Sequence, residues 1–482
     1  MKVTFLTPPA LDRHAPAERS AGCTRIVYHM PNIYELTLAA AVEKFTDCTV
    51  ERRDFVKDGL TEQDFQTWAE ADNSDVYVFW TVNLSLATDL LARDIIAKNN
   101  PKARAIWVGP APTLFAAKCL THADDVVVRG EPEDTTCELL NCWSAEQPWE
   151  NVKGISFINP KTGEITHNSA RPLISDLDRL PLPARHFIAD TQYHNPKLKR
   201  GPYTTMFTSR NCPFHCIYCV PSSLTFAREL NFRATHPGLK PTISMRSVES
   251  VCEEIEHVYK LGYRAIGFMD DNFIWNVQRL EPIANKLAQL GIVWGCQARV
   301  DSINEHVASI LGRSGCQYID LGVESFSQEI LDYIKKGITV EQIKTAVALL
   351  KKHNVPIKLN VLIGSSPLET KQTIKDTLRQ AKRLKVGQVM FNIVAPFPGT
   401  EFYDIAKKSG WIKGGDYTPT DVQHEAIINY PHLSAEEMEH LLFRNNLQFF
   451  LSPRVIFSHL VRFRSWREFT EALHGLKVKL FK

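Results

Sequence analysis

Short apolar runs and amphipathic stretches alternate along the first 145 residues of the chain. Apolar runs at residues 3–6, 76–80, 105–109 and 125–130 have the length and composition of buried strands. Residues 35–44 instead carry apolar side chains at helical spacing. Because strands that alternate with helices form a parallel, doubly wound sheet, this pattern predicts an α/β, Rossmann-like domain over residues 1–145.

The alternation of strands and helices resumes between residues 201 and 415. Amphipathic helical stretches separate predicted strands at residues 203–208, 265–271, 292–299, 318–324, 357–363 and 389–394. Six strands in βα alternation predict a partial (β/α)6 barrel. In such barrels the groups that bind ligands gather at the carboxyl ends of the strands.

Residues 146–200, between the two repeats, predict a linker. A turn-rich stretch at residues 159–163 between two short apolar runs predicts a hairpin, and the proline-rich run at residues 177–185 predicts a semi-rigid tether. Residues 416–482 predict a helical C-terminal domain, with a helix start at Ser434.

The bulk composition is that of a globular protein with several domains. The chain has 482 residues, of which 44% are hydrophobic and 23% are charged. A net charge of +2 gives no support for a nucleic-acid partner. Eleven cysteines, scattered except for one cluster, are typical of a reducing compartment, and neither a signal peptide nor a long apolar run stands out. We therefore expect a cytoplasmic protein without a membrane-spanning helix.

Three of the cysteines form a compact cluster, Cys212, Cys216 and Cys219, with the spacing C-x3-C-x2-C. Three thiolates on one tight loop can hold three corners of a [4Fe-4S] cluster, because iron in such clusters takes cysteine sulfur. The fourth iron would then be open to a non-protein ligand, which indicates substrate chemistry. The alternatives are chance clustering and a zinc knuckle, although a structural zinc site normally needs four protein ligands.

This cysteine stretch, with Tyr218 directly before its last cysteine, resembles the signature of the radical S-adenosylmethionine (radical SAM) enzymes. The resemblance implies that Cys212, Cys216 and Cys219 ligate the cluster and that Tyr218 lies near the adenine of SAM. In that family the open iron binds SAM, and an electron from the cluster splits SAM into methionine and a 5′-deoxyadenosyl radical. It further implies an electron donor of the flavodoxin or ferredoxin type.

Charged residues end three consecutive strands of the predicted barrel: Asp270 with Asp271, then Arg299, then Glu324. One such charge would be explained equally well by a helix cap or a rim ion pair, but three in series favour a ligand site. Carboxylates and an arginine suit SAM, which is a zwitterion with a ribose diol. We predict all four as SAM contacts, together with Tyr218. The choice between the two aspartates stays open, and no catalytic residue is identified.

Further segments, at residues 336–339, 364–370 and 396–400, also resemble this family. The chain departs from the family pattern at Asn211, where relatives usually have glycine, and at Leu368.

The amino-terminal pattern resembles the cobalamin-binding domain that precedes many radical SAM cores. The resemblance is carried by Gly109 with Pro110 and by Gly130 with Glu131, although Pro110 and Pro132 replace glycines of the family. It implies cobalamin contacts at Gly109, Pro110, Gly130 and Glu131. The chain lacks the Asp-x-His-x-x-Gly motif that supplies a histidine to cobalt, so two interpretations stay open. Either cobalamin binds without a lower-face histidine, or the fold remains without its cofactor.

The last thirty residues combine basic and apolar side chains. Arg462, Arg464 and Arg467 accompany Trp466 and Phe469 at helical spacing, a pattern typical of helices that lie on anionic membranes. One interpretation is peripheral contact with the inner membrane face. The interpretation we favour is that the apolar stripe packs on the barrel while the arginines are solvated.

These patterns lead to one leading hypothesis and two alternatives. The leading hypothesis is a cobalamin-dependent radical SAM enzyme that methylates an unactivated carbon of a small, lipophilic or lipid-like intermediate. The first alternative uses the same cofactors for ring contraction or cyclisation of a lipid or tetrapyrrole-like precursor, without net methyl transfer. The second is a non-catalytic iron–sulfur sensor. A tRNA methylthiotransferase is disfavoured, because Cys23, Cys48 and Cys119 are too widely spread for a second three-cysteine set.

Overall fold

The computed structural model describes residues 1–190 and 193–452, and contacts divide the chain into two units. The first unit consists of Met1–Tyr193, Thr205–Pro213 and Pro221–Ser250. The second consists of His194–Thr204, Phe214–Val220 and the chain from Val251 onward. The predicted domain limits at residues 145, 200 and 415 stay predictions, and the predicted basic tail at residues 453–482 lies outside the described residues.

A seven-stranded sheet with its flanking helices forms most of the first unit. In chain order the elements are β1 (Lys2–Thr7), α1 (Ile33–Phe45), β2 (Thr49–Asp54), α2 (Glu62–Ala71), β3 (Val76–Trp80), α3 (Leu86–Asn99), β4 (Arg104–Val108), α4 (Pro110–Leu114), α5 (Ala116–Cys119), β5 (Val126–Val128), α6 (Glu133–Ser144), β6 (Ile155–Ile158) and β7 (Ile165–His167). The strand order is β2-β1-β3-β4-β5-β6-β7, and β1 to β5 pair in parallel. This confirms the predicted doubly wound α/β architecture.

The sequence explains which strands form the centre of this sheet. The apolar strands β3, β4 and β5 are almost completely buried, whereas β2 at the edge is polar and half-buried. The predicted hairpin is present as β6 and β7, and it extends the sheet through antiparallel pairing with β5. The chain order changes direction between β1 and β3, which defines a topological switch point.

Four further elements surround the cysteine stretch in sequence. They are β8 (Tyr203–Met206), β9 (Ser209–Arg210), α7 (Ser223–Thr235) and β10 (Ser244–Met245). Strands β9 and β10 pair in an antiparallel ribbon, so Ser209 and Arg210, shortly before Cys212, are held in an extended backbone.

The remaining elements repeat a strand–helix unit. They are α8 (Val248–Lys260), β11 (Ala265–Phe268), α9 (Val277–Gln289), β12 (Val293–Ala298), α10 (Glu305–Arg313), β13 (Cys316–Glu324), α11 (Gln328–Tyr333), α12 (Val340–Lys352), β14 (Ile357–Ile363), α13 (Lys371–Arg383), β15 (Gln388–Ile393), α14 (Glu401–Lys408) and α15 (Ala435–Phe450). The second sheet has the order β8-β11-β12-β13-β14-β15, and β11 to β15 pair in parallel. The predicted six-stranded βα repeat is therefore confirmed.

Glycines on neighbouring strands of this sheet make room for tyrosine rings. A Cβ atom added at Gly295 would lie 2.2 Å from Cε1 of Tyr318, and one added at Gly267 would lie 2.5 Å from the hydroxyl of Tyr203. Both tyrosines thus pack against bare backbone, and side chains fill the interior at this level.

The C-terminal helical region begins as the sequence predicts. The Ser434 hydroxyl accepts from the backbone N–H of Glu437, whose carboxylate accepts from the N–H of Ser434, and this capping box starts α15. Within residues 1–190 and 193–452 no helix is both long and apolar enough to cross a membrane.

Candidate active site

The part of the cysteine loop that belongs to the second unit is fixed by its backbone. Ile217 is buried, its N–H donates to the carbonyl of Ile334 at 3.2 Å, and its carbonyl accepts from the N–H of Phe402 at 2.9 Å. The N–H of Cys219 donates to the carbonyl of Cys216 at 3.2 Å, which closes a turn between the two cysteines. This part of the loop is therefore shaped before any metal binds.

Cys212 lies in the first unit, and Cys216 and Cys219 lie in the second. All three side chains are half-buried. Across the described ranges, no three His, Cys, Asp or Glu side chains converge on a common metal position. Three accessible thiols on one loop nevertheless fit the donor set that a [4Fe-4S] cluster with one open iron requires. The assignment of these cysteines as ligands stays a prediction.

Arg299 follows β12 directly and brings a positive charge to the cysteine loop. Its Nη1 lies 4.0 Å from Sγ of Cys216, and its guanidinium carbon lies 3.5 Å from the ring centroid of Phe214. Nη2 donates to the carbonyl of Lys336 at 2.7 Å, and Asp301 accepts two further hydrogen bonds. The guanidinium of Arg299 is therefore held in a fixed position beside Sγ of Cys216.

Glu324, the last residue of β13, forms a buried ion pair with Lys336. The Nζ–Oε1 distance is 2.7 Å, and each residue is 6% exposed. Burial opposes the charge on Lys336, but Glu324 and Cys216 outweigh it, so the pKa of Lys336 is raised. Glu324 has φ 58°, in the left-handed region that non-glycine residues rarely adopt. Its backbone is therefore held in an unusual conformation where β13 ends.

Tyr218 joins this pair to the cysteine loop. Its hydroxyl accepts from Nζ of Lys336 at 3.4 Å. Burial raises the pKa of the Tyr218 phenol, and the charges of Glu324, Cys216 and Cys219 raise it further, so the phenol stays protonated. The structure thus brings together three of the predicted SAM contacts, Tyr218, Arg299 and Glu324, with Lys336 between them. Sequence analysis assigned no role to Lys336, although it lies in a segment that resembles the family.

Asp270 and Asp271 lie two and three residues after the end of β11, with Asp270 buried and Asp271 half-buried. The next residue, Asn272, is 2% exposed, and neither its Oδ1 nor its Nδ2 has a hydrogen-bond partner among the described residues. Burying an amide without hydrogen-bond partners costs desolvation free energy, so we expect the side chain of Asn272 to bind a polar ligand. Sequence analysis did not single out Asn272, whose signal was its position directly after the two aspartates. These residues fit the polar groups of SAM.

In the first unit, Gly109 and Gly130 follow β4 and β5 and have φ of 106° and 77°. A Cβ atom added at Gly109 would lie 2.6 Å from the carbonyl oxygen of Thr81, and one added at Gly130 would lie 2.9 Å from Nδ2 of Asn231. Both glycines are thus required by the packing of the chain itself. Pro110 begins α4. The cobalamin contacts at Gly109, Pro110 and Gly130 stay predictions.

Glu131 has both carboxylate oxygens engaged by the protein. Its Oε1 lies 2.7 Å from Nη1 of Arg210, and its Oε2 accepts from the N–H of Ile174 at 2.7 Å. Glu131 is 8% exposed. A cobalamin contact by this side chain would have to compete with these partners, and it too stays a prediction.

A pocket opens at the carboxyl ends of β1 and β3, at the switch point of the sheet. Thr7 and Ser85 line it, as does Asn32, which caps α1. The Nδ2 of Asn32 is buried and has no hydrogen-bond partner within the part of the chain that the structure describes. Parallel sheets bind ligands at this place, and the lining fits a polar group such as the nucleotide tail of cobalamin.

His29 also lines this pocket, although no sequence motif indicates it. The residue is half-buried. Burial lowers the pKa of its imidazole, the charge of Lys57 lowers it further, and Asp54 opposes the shift. A lowered pKa keeps the ring neutral near pH 7, the form in which histidine binds metals.

Comparisons with known proteins identify the family to which this chain is similar. Residues 206–381 match the profile of the Radical SAM superfamily. An uncharacterized methyltransferase of Pyrococcus horikoshii is 30% identical over 95% of this chain and 94% of its own length. The anaerobic magnesium-protoporphyrin IX monomethyl ester cyclase of Rubrivivax gelatinosus is 26% identical over 64% of this chain and 54% of its own.

A solved structure of the radical SAM methyltransferase TsrM from Kitasatospora setae, with cobalamin and a [4Fe-4S] cluster bound, is similar with a TM-score of 0.64. The matched region covers 85% of this chain and 75% of the TsrM chain, at 14% sequence identity. This similarity is one of fold.

Proposed function

Because the chain belongs to the radical SAM enzymes that carry an amino-terminal cobalamin-binding-type domain, we propose that it methylates an unactivated carbon of a small, lipophilic intermediate. As a radical SAM enzyme it uses a [4Fe-4S] cluster and SAM. The observation that carries methyl transfer is the 30% identity, along almost the whole chain, with a relative named as a methyltransferase. The lipophilic character of the substrate rests on the pattern of residues 453–482, outside the described residues.

The residues around the cysteine loop can bind and orient SAM. The cluster, when bound, supplies the electron that splits SAM. SAM carries an ammonium and a carboxylate, and the Glu324–Lys336 pair offers a partner of opposite charge to each of them. Asn272 adds a donor and an acceptor that have no partner among residues 1–190 and 193–452, and the protonated Tyr218 hydroxyl adds a further polar contact.

The switch-point pocket of the first unit would hold the second cofactor. Cobalamin, when bound, supplies a carrier for the methyl group. Thr7, Asn32 and Ser85 would bind its polar tail, and the basic side chains of Arg25 and Lys57 line the same pocket. His29 offers a neutral nitrogen there.

A second candidate function is ring formation on a tetrapyrrole-like precursor, without net methyl transfer. It is favoured by the 26% identity to a relative named as a magnesium-protoporphyrin cyclase. The same cofactors would serve, so the two candidates differ in the fate of the SAM methyl group.

The proposal is tested without a known substrate. The full chain is reconstituted anaerobically with iron, sulfide and hydroxocobalamin, then reduced and given SAM with a deuterated methyl group. Methylation predicts label in the corrinoid fraction, an equal amount of S-adenosylhomocysteine, and slow release of 5′-deoxyadenosine. Label that stays entirely in SAM and methionine would favour ring formation. SAM that remains intact would favour the non-catalytic sensor, and a chain that binds no cobalt would contradict both enzymatic candidates.

A further inference from the structure

The residue directly before the first cysteine of the loop, Asn211, has an unusual backbone. Its φ is 77°, in the left-handed region that glycine adopts freely and that asparagine tolerates better than most other residues. The side chain of Asn211 is buried and makes two links that a glycine could not make. Its Oδ1 accepts from Nη1 of Arg228, and its Nδ2 donates to Oε1 of Glu229 at 3.3 Å.

The residue before Asn211, Arg210, forms ion pairs with residues that follow β5 in the same unit. Arg210 is 1% exposed, and its guanidinium binds two glutamates that follow β5. Nη1 lies 2.7 Å from Oε1 of Glu131, and Nη2 lies 2.6 Å from Oε1 of Glu133. Planar, two-point recognition of this kind fixes orientation as well as distance.

Arg228 on α7 completes the network. Its Nε lies 3.3 Å from Oε1 of Glu131, and its Nη2 donates to the Ser244 hydroxyl at 2.7 Å. A continuous set of buried polar contacts therefore runs from the end of β5, through Arg210 and Arg228, to Asn211, the neighbour of Cys212.

We infer that this network positions Cys212 for cluster ligation, so that the end of β5 in the seven-stranded sheet controls the geometry and the redox behaviour of the cluster. Arg210, Asn211 and Glu133 are positioning residues, since they act through the backbone of Cys212. The partners that orient a metal ligand affect metal affinity and potential, and the inference rests on Cys212 being a ligand, as proposed above.

The first experiment uses the cluster-free full chain and measures hydrogen–deuterium exchange of peptides within residues 205–213. Asn211→Gly is the cleanest variant, because glycine tolerates the left-handed backbone and only the side-chain links are lost. Arg93→Lys is the matched control: Arg93 and Asp125 form another buried pair in this unit, with Nη2 at 2.8 Å from Oδ1.

Asn211→Gly and Arg210→Lys should accelerate exchange in this segment by about tenfold through local opening, while Arg93→Lys leaves it unchanged. Unchanged exchange in both positioning variants would overturn the inference.

The second experiment reconstitutes the cluster and records its iron content, its electron paramagnetic resonance spectrum and its midpoint potential. Arg210→Lys and the milder Glu133→Gln should alter the spectrum and reduce SAM cleavage per cluster by about tenfold to a hundredfold, the effect of a small misplacement. Arg93→Lys should lower thermal stability to a similar degree but leave the spectrum and potential as in the wild type.

Positioning variants with a wild-type spectrum and potential would overturn this inference alone. A wild-type chain that assembles no cluster would instead overturn the proposed function, together with the ligation on which this inference rests.

Discussion

Lys336 Nζ lies 2.7 Å from Oε1 of Glu324, and β13 carries a second buried ion pair four residues earlier, at Asp320. Asp320 Oδ2 lies 2.7 Å from Nζ of Lys197 and 2.9 Å from Nζ of Lys358. Both carboxylates are buried on the same strand, but of the two only Glu324 lies beside Tyr218 and the cysteine loop. The strand thus contains its own control for the role of the Glu324 pair.

Replacing Glu324 should abolish SAM cleavage while sparing the cluster. Glu324→Gln leaves the buried Lys336 without its carboxylate, which should destabilise the fold by about 3–5 kcal/mol. Asp320→Asn removes the carboxylate shared by two half-buried lysines and should also destabilise the fold. Only Glu324→Gln should also stop 5′-deoxyadenosine formation at unchanged iron content. Equal loss of cleavage in both variants would mean that the Glu324 pair has only a structural role.

Gly322→Ala should displace the same ion pair without removing a charge. An added Cβ would lie 2.7 Å from Oε1 of Glu324 and 2.8 Å from Nζ of Lys336, so both side chains must shift. We expect SAM binding to weaken about tenfold, since a displaced charged contact costs about 1–2 kcal/mol. Equilibrium dialysis with SAM measures this, and wild-type affinity would contradict the placement of SAM at this pair.

Removing the charge of Arg299 should make the cluster harder to reduce. Reduction adds a negative charge, which the guanidinium beside Cys216 stabilises. Arg299→Gln should lower the midpoint potential by on the order of 50–100 mV, from the Coulomb energy of one charge at several ångströms in a partly screened site. Arg264 stacks on Tyr259 at 4.0 Å in the same unit, so Arg264→Gln controls for loss of a stacked arginine. A shift of the midpoint potential that is equal in both variants would contradict a specific effect of the Arg299 charge on the cluster.

Glu369 should make the stability of the second unit depend on pH. Burial raises the pKa of Glu369 to about 8 from 4.5, although hydrogen bonds from the backbone of Gly364 and Ser365 oppose this. The folded chain keeps a proton that the unfolded chain releases in this range. The contribution of protonated Glu369 to the free energy of unfolding is therefore complete below about pH 4.5. It declines by up to about 1.4 kcal/mol per pH unit until about pH 8.

The variant Glu369→Gln keeps an acceptor for the N–H of Gly364 and carries no titratable group. The unfolding midpoints of this variant and of the wild type are measured across this pH range. As the pH rises, the midpoint of the wild type should fall relative to that of the variant. A difference between the two proteins that does not change with pH would contradict the raised pKa.

Hydrophobic patterning predicted the repeating part of the fold, because buried parallel strands are continuous apolar runs. The predicted strand at residues 357–363 coincides with β14, and that at residues 76–80 coincides with β3. The edge strand β2 was missed, since its sequence, Thr49–Asp54, is mainly polar and lies against solvent on one side. Its pairing with β1 is a property of the sheet that no local pattern reveals.

Residues of the candidate site could be predicted where they lie at the end of a strand or within a short, regularly spaced motif. Arg299 and Glu324 were predicted on that ground, and the structure places both near Cys216 or Tyr218. Lys336 was not predicted, because its partner is brought to it by the path of α11 and the turn that follows. Glu131 was predicted to contact cobalamin, but burial gives its carboxylate internal partners that only the tertiary structure discloses.

The absence of a side chain at Gly295 has an evolutionary consequence. The ring of Tyr318 occupies the volume that any larger residue at position 295 would need. Relatives that carry alanine or a larger residue at position 295 should therefore carry a smaller one at position 318, so that the summed volume of the two sites is conserved. Sequences from distant organisms would display this as paired exchange between two neighbouring strands, and independent variation at the two sites would contradict it.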